Sequence, residues 1–187
     1  MDSWDPLAPR TGSQAPDLSL LTAAGKHAQL ADLARKGPLL VLCFAGPDDA
    51  RGKELLLAYR DVTLAWRQHG VAICAVAEAD PSALAFLRSA RGLGFPLLAD
   101  PDGTQLARWG MTGKVGLFLI DKHLIVKQRA LGGRGDPALL LTFIKRGGVR
   151  AGRTPGGFRE TVLAQLRRVG HGVQHLLRPS PKADPVR

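Results

Sequence analysis

The 187 residues suit one domain with an appendage, and an apolar fraction of 45% supplies one proper core. No run reaches the roughly 18 to 20 apolar residues of a membrane helix, the longest being Pro38 to Ala45, and the polar start Met1-Asp2-Ser3-Trp4-Asp5 lacks the basic and apolar regions of a secretory signal, so a soluble cytoplasmic protein is expected. The formal charge of +10 sits mostly at one end: residues 1 to 144 hold 16 Lys+Arg against 14 Asp+Glu, residues 145 to 187 hold 10 against 2, so the body is close to neutral and overall basicity is no argument that it binds nucleic acid.

The first sixteen residues, rich in Pro, Ser and Asp, read as an arm, with residues 1–11 assigned to it outright. "GSQAPDLSLLTAAGKHAQLADLARKG" predicts a short extended stretch, a turn at Ala24-Gly25, a second short strand and a brief helix around Ala31 to Ala34. "PLLVLCFAG" is a continuous apolar run ended by Gly46-Pro47, the pattern of a central parallel strand covered on both faces. In "KELLLAYRDVTLAWRQHG" the residues Leu55, Tyr59, Val62 and Trp66 recur at spacings of three and four, and Gly70 follows, which predicts one amphipathic helix with a C-terminal stop.

The pattern then repeats in kind. "VAICAVAEA" is a second buried strand, "PSALAFLRSARG" a helix begun near Pro81-Ser82, and "FPLLAD" a short strand closed by the turn Asp100-Pro101-Asp102-Gly103. "TQLARWG" predicts one or two helical turns. "GLFLID" and "LIVKQRAL", joined by Lys122-His123, predict an antiparallel hairpin, and "DPALLLTFIKRGG" a closing helix. Strands alternating with helices and finishing on a hairpin and helix predict a mixed sheet sandwiched by helices. Strands 39–45, 71–77, 116–121 and 124–130 are expected at its centre.

From about Gly12 to about Arg146 the chain resembles a peroxiredoxin of the alkyl hydroperoxide reductase and thiol-specific antioxidant (redoxin) family. The matching pieces are "GSQAPDLSLLTAAGK" for the family's opening G-x-x-A-P-D-F-x-L and G-K, "LADLARKGPLLVLCF" for the strand before the active site, "FPLLADPDGTQLARWGM" with its D-x-x-G turn, and "GLFLIDKHLIVKQ" for the closing hairpin. They follow in the family's order, and the resemblance implies an α/β thioredoxin-like three-layer sandwich with a mixed central sheet over residues 1–146. Residues 147–187 lie beyond it, as a basic linker, amphipathic helix and tail.

The departures fall where function would be read. The family's loop carries P-x-x-x-T-x-x-C, with the peroxide-reducing cysteine in the first turn of the next helix. Counted from Phe44 that place falls near Lys53, and counted back from Glu54 it falls near Arg51; neither count meets a cysteine or the threonine, and the loop is about two residues short. Val115 stands where the family often has an arginine or a cis-proline, and the usual glycine after the aspartate of "LID" is missing.

The physical chemistry of such a site gives these differences weight. A peroxide-cleaving thiol must be ionised, and the positive end of a helix with a nearby cation lowers its pKa. Here Pro47, Asp48 and Asp49 stand at the helix start, and an aspartate there accepts the same N–H groups as an N-cap, so Asp48 or Asp49 is expected to fill the anion site. Arg51 and Lys53 follow, either as what is left of an electropositive pocket or as a solvated helix face with Asp–Arg pairing, and Glu54 closes the loop equivalent to the active site.

Only two cysteines occur, Cys43 and Cys74, each inside an apolar run. They make no disulfide framework and no zinc spacing, and nothing implies a cofactor or a metal. Cys43 is the nearest thiol to the loop and the sole substitute nucleophile to weigh; a mid-strand position beside Phe44 favours a core role for it. His171 and His175 share a helix face but lack a third ligand, and Gly132-Gly133-Arg134-Gly135 lacks the lysine and hydroxyl of a phosphate loop.

In "FRETVLAQLRRVGHGVQHLL" a stripe of Phe158, Val162, Leu166, Val169, Val173 and Leu177 runs down one side, with Arg159, Arg167 and Arg168 largely off it. Two readings stay open: a helix that docks on the body, a second copy or another protein, and a basic amphipathic helix for an anionic surface. Gly170 and Gly172 weaken the helix near its middle. Two functions remain as well. One is a catalytically degenerate peroxiredoxin-like protein that binds, assembles or regulates; the other is a working thiol peroxidase that uses Cys43.

Overall fold

The apolar run that ends at Gly46-Pro47 forms the strand around which the molecule is built. The computed structural model describes residues 6–132 and 135–148, all within one compact unit. The C-terminal stripe from Phe158 to Leu177, with His171 and His175, lies outside the described residues, as do Gly133 and Arg134 of the glycine-rich loop.

In chain order the elements are β1 (Ser19–Leu21), β2 (His27–Gln29), α1 (Leu30–Ala34), β3 (Leu39–Phe44), α2 (Ala50–Arg60), α3 (Thr63–Gln68), β4 (Ala72–Ala77), α4 (Pro81–Arg91), β5 (Leu97–Ala99), α5 (Thr104–Ala107), β6 (Gly116–Ile120), β7 (Val126–Leu131) and α6 (Pro137–Lys145). They form one seven-stranded sheet in the order β2-β1-β5-β4-β3-β6-β7. β3 pairs parallel with β4 and antiparallel with β6, which makes the sheet mixed. Every residue of β3 is buried, as its unbroken apolar composition requires of a strand covered on both faces.

Alternation along β3 splits the core in two. Leu40, Leu42 and Phe44 pack with Leu55, Tyr59, Trp66, Leu84 and Ile144, under the longer helices α2, α3, α4 and α6. Leu39, Val41 and Cys43 pack on the other face with Leu30, Cys74, Leu106, Trp109 and Phe118, under α1 and α5. Trp109 and Phe118 meet edge to face with ring centroids 4.9 Å apart, and the Trp109 indole donates to the Pro16 carbonyl at 2.9 Å.

Four expectations are corrected. The helix expected through Val62 is two helices, α2 and α3. Asp61, Val62 and Thr63 are weak helix formers, and the Thr63 hydroxyl donates to the Tyr59 carbonyl at 2.7 Å, the group that a continuous helix would offer to the Thr63 N–H. The break still leaves Tyr59 and Trp66 in edge-to-face contact at 5.7 Å.

Residues 124–130 were expected at the sheet centre, yet β7 is its edge. Only Val126 of that strand is buried, because Lys127, Gln128 and Arg129 supply polar side chains that a central strand could not solvate. The hairpin itself forms, with a connection of residues 121–125 rather than the two residues Lys122 and His123, since Ile120 pairs with Val126. Asp121 Oδ1 holds this wider loop, accepting from the His123 N–H at 2.8 Å and the Ile125 N–H at 3.0 Å.

The stretch read as an arm is fastened to that edge. Gly12 N donates to Val126 O at 2.8 Å, Val126 N donates to Ser13 O at 2.9 Å, and the Arg129 guanidinium donates to the Ala8 and Pro9 carbonyls, both at 3.1 Å. Part of an otherwise open sheet edge is thereby covered.

Candidate functional site

β3 delivers the chain to the loop of residues 45–49 at the C-terminal edge of the sheet, and α2 starts immediately beyond it. Gly46-Pro47 ends the strand, since proline has no N–H for a further ladder bond. Asp49 is the N-cap of α2: its Oδ1 accepts from the Arg51 N–H at 3.1 Å and its Oδ2 accepts from the Ala45 N–H, also at 3.1 Å. One carboxylate therefore joins the end of the strand to the start of the helix, and its charge lies at the positive end of the helix dipole. Of the two aspartates expected as caps, Asp49 does the work; Asp48 is exposed.

The first turn of α2 presents one residue to the protein interior, and it has no side chain. Arg51 and Glu54 are exposed, Lys53 is half-buried, and Gly52 between them is buried. A Cβ placed on Gly52 would lie 2.6 Å from Phe44 Cβ, 2.8 Å from Asp49 Oδ2 and 3.0 Å from Phe44 Cδ2. The helix sits directly on the strand at this point, and only glycine permits that approach. Sequence reasoning passed over Gly52; the available signal was a glycine inside a helical pattern, which usually marks a packing requirement.

Other groups of this edge come from three further segments. Val115 is buried in the apolar cluster that holds Phe44, and the next residue, Gly116, pairs across the sheet with Cys43. Glu78, just past β4, accepts from the Gly113 N–H at 2.8 Å and so ties two loops together. In the turn after β5, the buried Asp100 accepts from the Leu106 N–H at 2.7 Å, while Asp102 accepts from the Thr104 N–H at 3.1 Å and its hydroxyl at 2.8 Å. Burial raises the pKa of Asp100, with the charge of Asp102 adding to it; the Thr104 hydroxyl and N–H hold Asp102 low. Neither Glu78 nor Asp100 was singled out as a site residue.

Both thiols are far from this arrangement chemically. Cys43 and Cys74 are wholly buried and free. Burial pushes the Cys43 thiol far up, the nearby Cys74 adding to the effect, and burial alone pushes Cys74 up to about 12. The two lie on one face of neighbouring strands but are offset: Cys43 pairs with Val76, and Cys74 with Val41. Offset by two residues along parallel strands about 4.8 Å apart, with about 3.3 Å of rise per residue, their Cα atoms sit about 8 Å apart, beyond the roughly 4.4–6.8 Å that a disulfide spans. Among the described residues no three His, Cys, Asp or Glu side chains cluster in a way that could hold a metal ion. No helix among them is long and apolar enough to cross a membrane.

Comparison with known proteins places this geometry in context. The model of the AhpC/TSA family matches residues 11–129. Two Mycobacterium tuberculosis proteins, from strains CDC 1551 and H37Rv and each named a putative peroxiredoxin, are 31% identical over 108 residues, covering 57% of this chain and 68% of the relative. Among solved structures, the peroxidoxin BcpB of Mycobacterium tuberculosis superposes with a TM-score of 0.69 at 18% identity, covering 74% of this chain and 98% of that one. A peroxiredoxin-like protein of Aquifex aeolicus gives 0.66 at 14% identity, covering 76% and 90%. At these identities the structural matches speak for the fold alone.

Proposed function

This chain belongs to the AhpC/TSA family, and from that premise we propose that it is a peroxiredoxin-like protein that has given up thiol-dependent peroxide reduction and acts by binding, assembly or regulation. The observation that carries this reading is the N-terminus of α2. There the Asp49 carboxylate occupies the strand–helix junction, and Gly52 packs on Phe44 with no space for a side chain. A thiolate at that junction would stand beside a carboxylate that raises its pKa, the reverse of what activation needs.

Peroxide reduction starts when a thiolate attacks one peroxide oxygen; the S–O bond forms, the O–O bond breaks, and the leaving oxygen takes a proton. An unperturbed thiol near pKa 8.5 is about 3% thiolate at pH 7. A thiol at about 12, as for Cys74, is ionised in roughly one molecule in 10⁵, and Cys43 is shifted in the same direction for the same reason. Their burial also keeps a peroxide from reaching either sulfur. Raised thiol pKa and burial both speak against the alternative of a peroxidase working through Cys43. In this reading residues 1–146 form the redoxin body and residues 147–187 a basic extension for partner contact.

Thiol titration tests the proposal. In native buffer both cysteines should resist an aromatic disulfide reagent, and in denaturant both should react rapidly. Fast labelling of one thiol in the native protein, abolished in Cys43→Ser, would overturn it.

A further inference from the structure

At the opposite end of the sheet, about 20 Å from the loop of residues 45–49 along the six residues of β3, lies a cavity of about 590 Å³. The turn after α1 contributes Arg35 and Lys36, the β6–β7 hairpin contributes Asp121, Lys122, His123 and Lys127, and Gly147 and Gly148, past α6, also line it. Among the described residues four cationic side chains thus share one concavity with one carboxylate. That carboxylate is already engaged, since Asp121 Oδ2 pairs with Lys127 Nζ at 2.9 Å and its other oxygen holds the hairpin loop. Arg35, Lys36 and Lys122 are exposed and make no ion pair with a described residue. The sequence that follows Gly148 does not neutralise them by composition, because residues 149 to 187 hold 8 Lys+Arg against 2 Asp+Glu.

We propose that this cavity binds a soluble small molecule through a phosphate or polyphosphate group. Unpaired cations in one concave space repel each other, and an oxyanion placed among them relieves that repulsion through charge-assisted hydrogen bonds. The focus of charge is local: residues 1 to 144 hold 16 Lys+Arg against 14 Asp+Glu, so the body as a whole attracts anions weakly while this wall attracts them strongly. The volume falls in the range of about 300–1,000 Å³ typical of small-molecule sites and leaves room beyond the oxyanion for an organic portion. Among the described residues no Phe, Tyr or Trp lines the wall, and its stacking surfaces are limited to the His123 imidazole and the Arg35 guanidinium, so the charged group supplies most of the recognition. The site is independent of the thiols and of the loop before α2, and it stands whether or not those groups react.

Calorimetric titration of the full chain with pyrophosphate, ADP and adenosine, at about 0.15 M salt where exposed charges are screened beyond about 8 Å, tests the assignment. Pyrophosphate and ADP should each bind saturably, one per chain, and adenosine should not bind. Lys36→Gln combined with Lys122→Gln, both exposed positions, should weaken the two phosphorylated probes at least about tenfold while the melting temperature stays unchanged. Arg159→Gln combined with Arg167→Gln, in the basic extension, should leave both affinities within about twofold. Absence of saturable binding by either phosphorylated probe would overturn the proposal. So would affinity that survives the Lys36/Lys122 pair and disappears with the Arg159/Arg167 pair, because the extension would then be the binder. Binding to vesicles carrying a phosphoinositide but to neither soluble probe would overturn it too, by making a lipid headgroup the source of the phosphate.

Discussion

Replacing Gly52 with alanine adds a single methyl group, and its effect follows from three distances. The new Cβ would lie 2.6 Å from Phe44 Cβ, 2.8 Å from Asp49 Oδ2 and 3.0 Å from Phe44 Cδ2, all inside van der Waals contact. Phe44 Cβ is fixed to the fully buried strand β3 and cannot swing aside, so α2 must move outward. Overpacking of that kind costs about 1–3 kcal/mol. Displacing the Asp49 carboxylate from the Ala45 and Arg51 N–H groups costs about 1 kcal/mol more, as losing an N-cap does. Alanine's better helix propensity returns about 1 kcal/mol. The net expectation is a loss of about 1–3 kcal/mol, or about 2–12 °C in melting temperature for a chain of this size. Thermal and urea unfolding followed by circular dichroism would measure it, with Glu54→Ala as an exposed neighbour expected to change little. A Gly52→Ala protein as stable as the parent, or more so, would mean that propensity wins and that α2 is not seated on Phe44.

Asp49→Ala should destabilise by about 1–2 kcal/mol, because it orphans the Arg51 and Ala45 N–H groups together, whereas Asp49→Asn, which keeps an acceptor, should lose less than half of that; urea midpoints of the two variants decide. The raised pKa of Asp100 means that its protonated form is favoured in the fold, so its contribution is full below the unfolded value near 3.8 and is lost as pH rises through the folded value. Asp100→Asn keeps the acceptor for the Leu106 N–H and cannot ionise. It should therefore melt above the parent at pH 7, with the gap closing below about pH 4; a parent that is the more stable of the two at pH 7 would refute the sign. Deleting residues 147–187 should leave the body folded, and loss of the far-ultraviolet circular dichroism signal in the truncated chain would show that the extension is part of the core.

The architecture was legible wherever local pattern and tertiary role agree. The unbroken run from Leu39 to Phe44 could only be a covered strand, Pro81 and Gly92 mark helix ends by their own backbone chemistry, and Asp136 marks one by its capping side chain. What stayed hidden depends on residues far apart in the chain. The break between α2 and α3 comes from one hydroxyl, of Thr63, turning back on Tyr59, which a periodicity of apolar residues does not register. β7 reads as a strand equally well at the centre or the edge until its polar side chains are weighed against burial.

At the candidate site the capping role of an aspartate could be anticipated, but the choice of Asp49 over Asp48 follows from the reach to Ala45. The importance of Gly52 follows from a strand atom that no helical pattern displays. Glu78 was invisible because its partner, the Gly113 N–H, lies on another loop. The basic cavity is of the same kind, since antiparallel pairing of β3 with β6 carries the hairpin of Lys122 and Lys127 back beside Arg35 and Lys36.

Consumption of hydrogen peroxide and of an alkyl hydroperoxide by the purified full chain with a dithiol reductant, beside Cys43→Ser and Cys74→Ser, tests the central claim most directly. Buried, un-ionised thiols and a helix N-terminus already occupied by Asp49 predict rates no higher than those of free cysteine, and no difference among the three proteins. Rapid turnover by the parent that vanishes in Cys43→Ser would contradict the account, because the strand cysteine would then be the nucleophile.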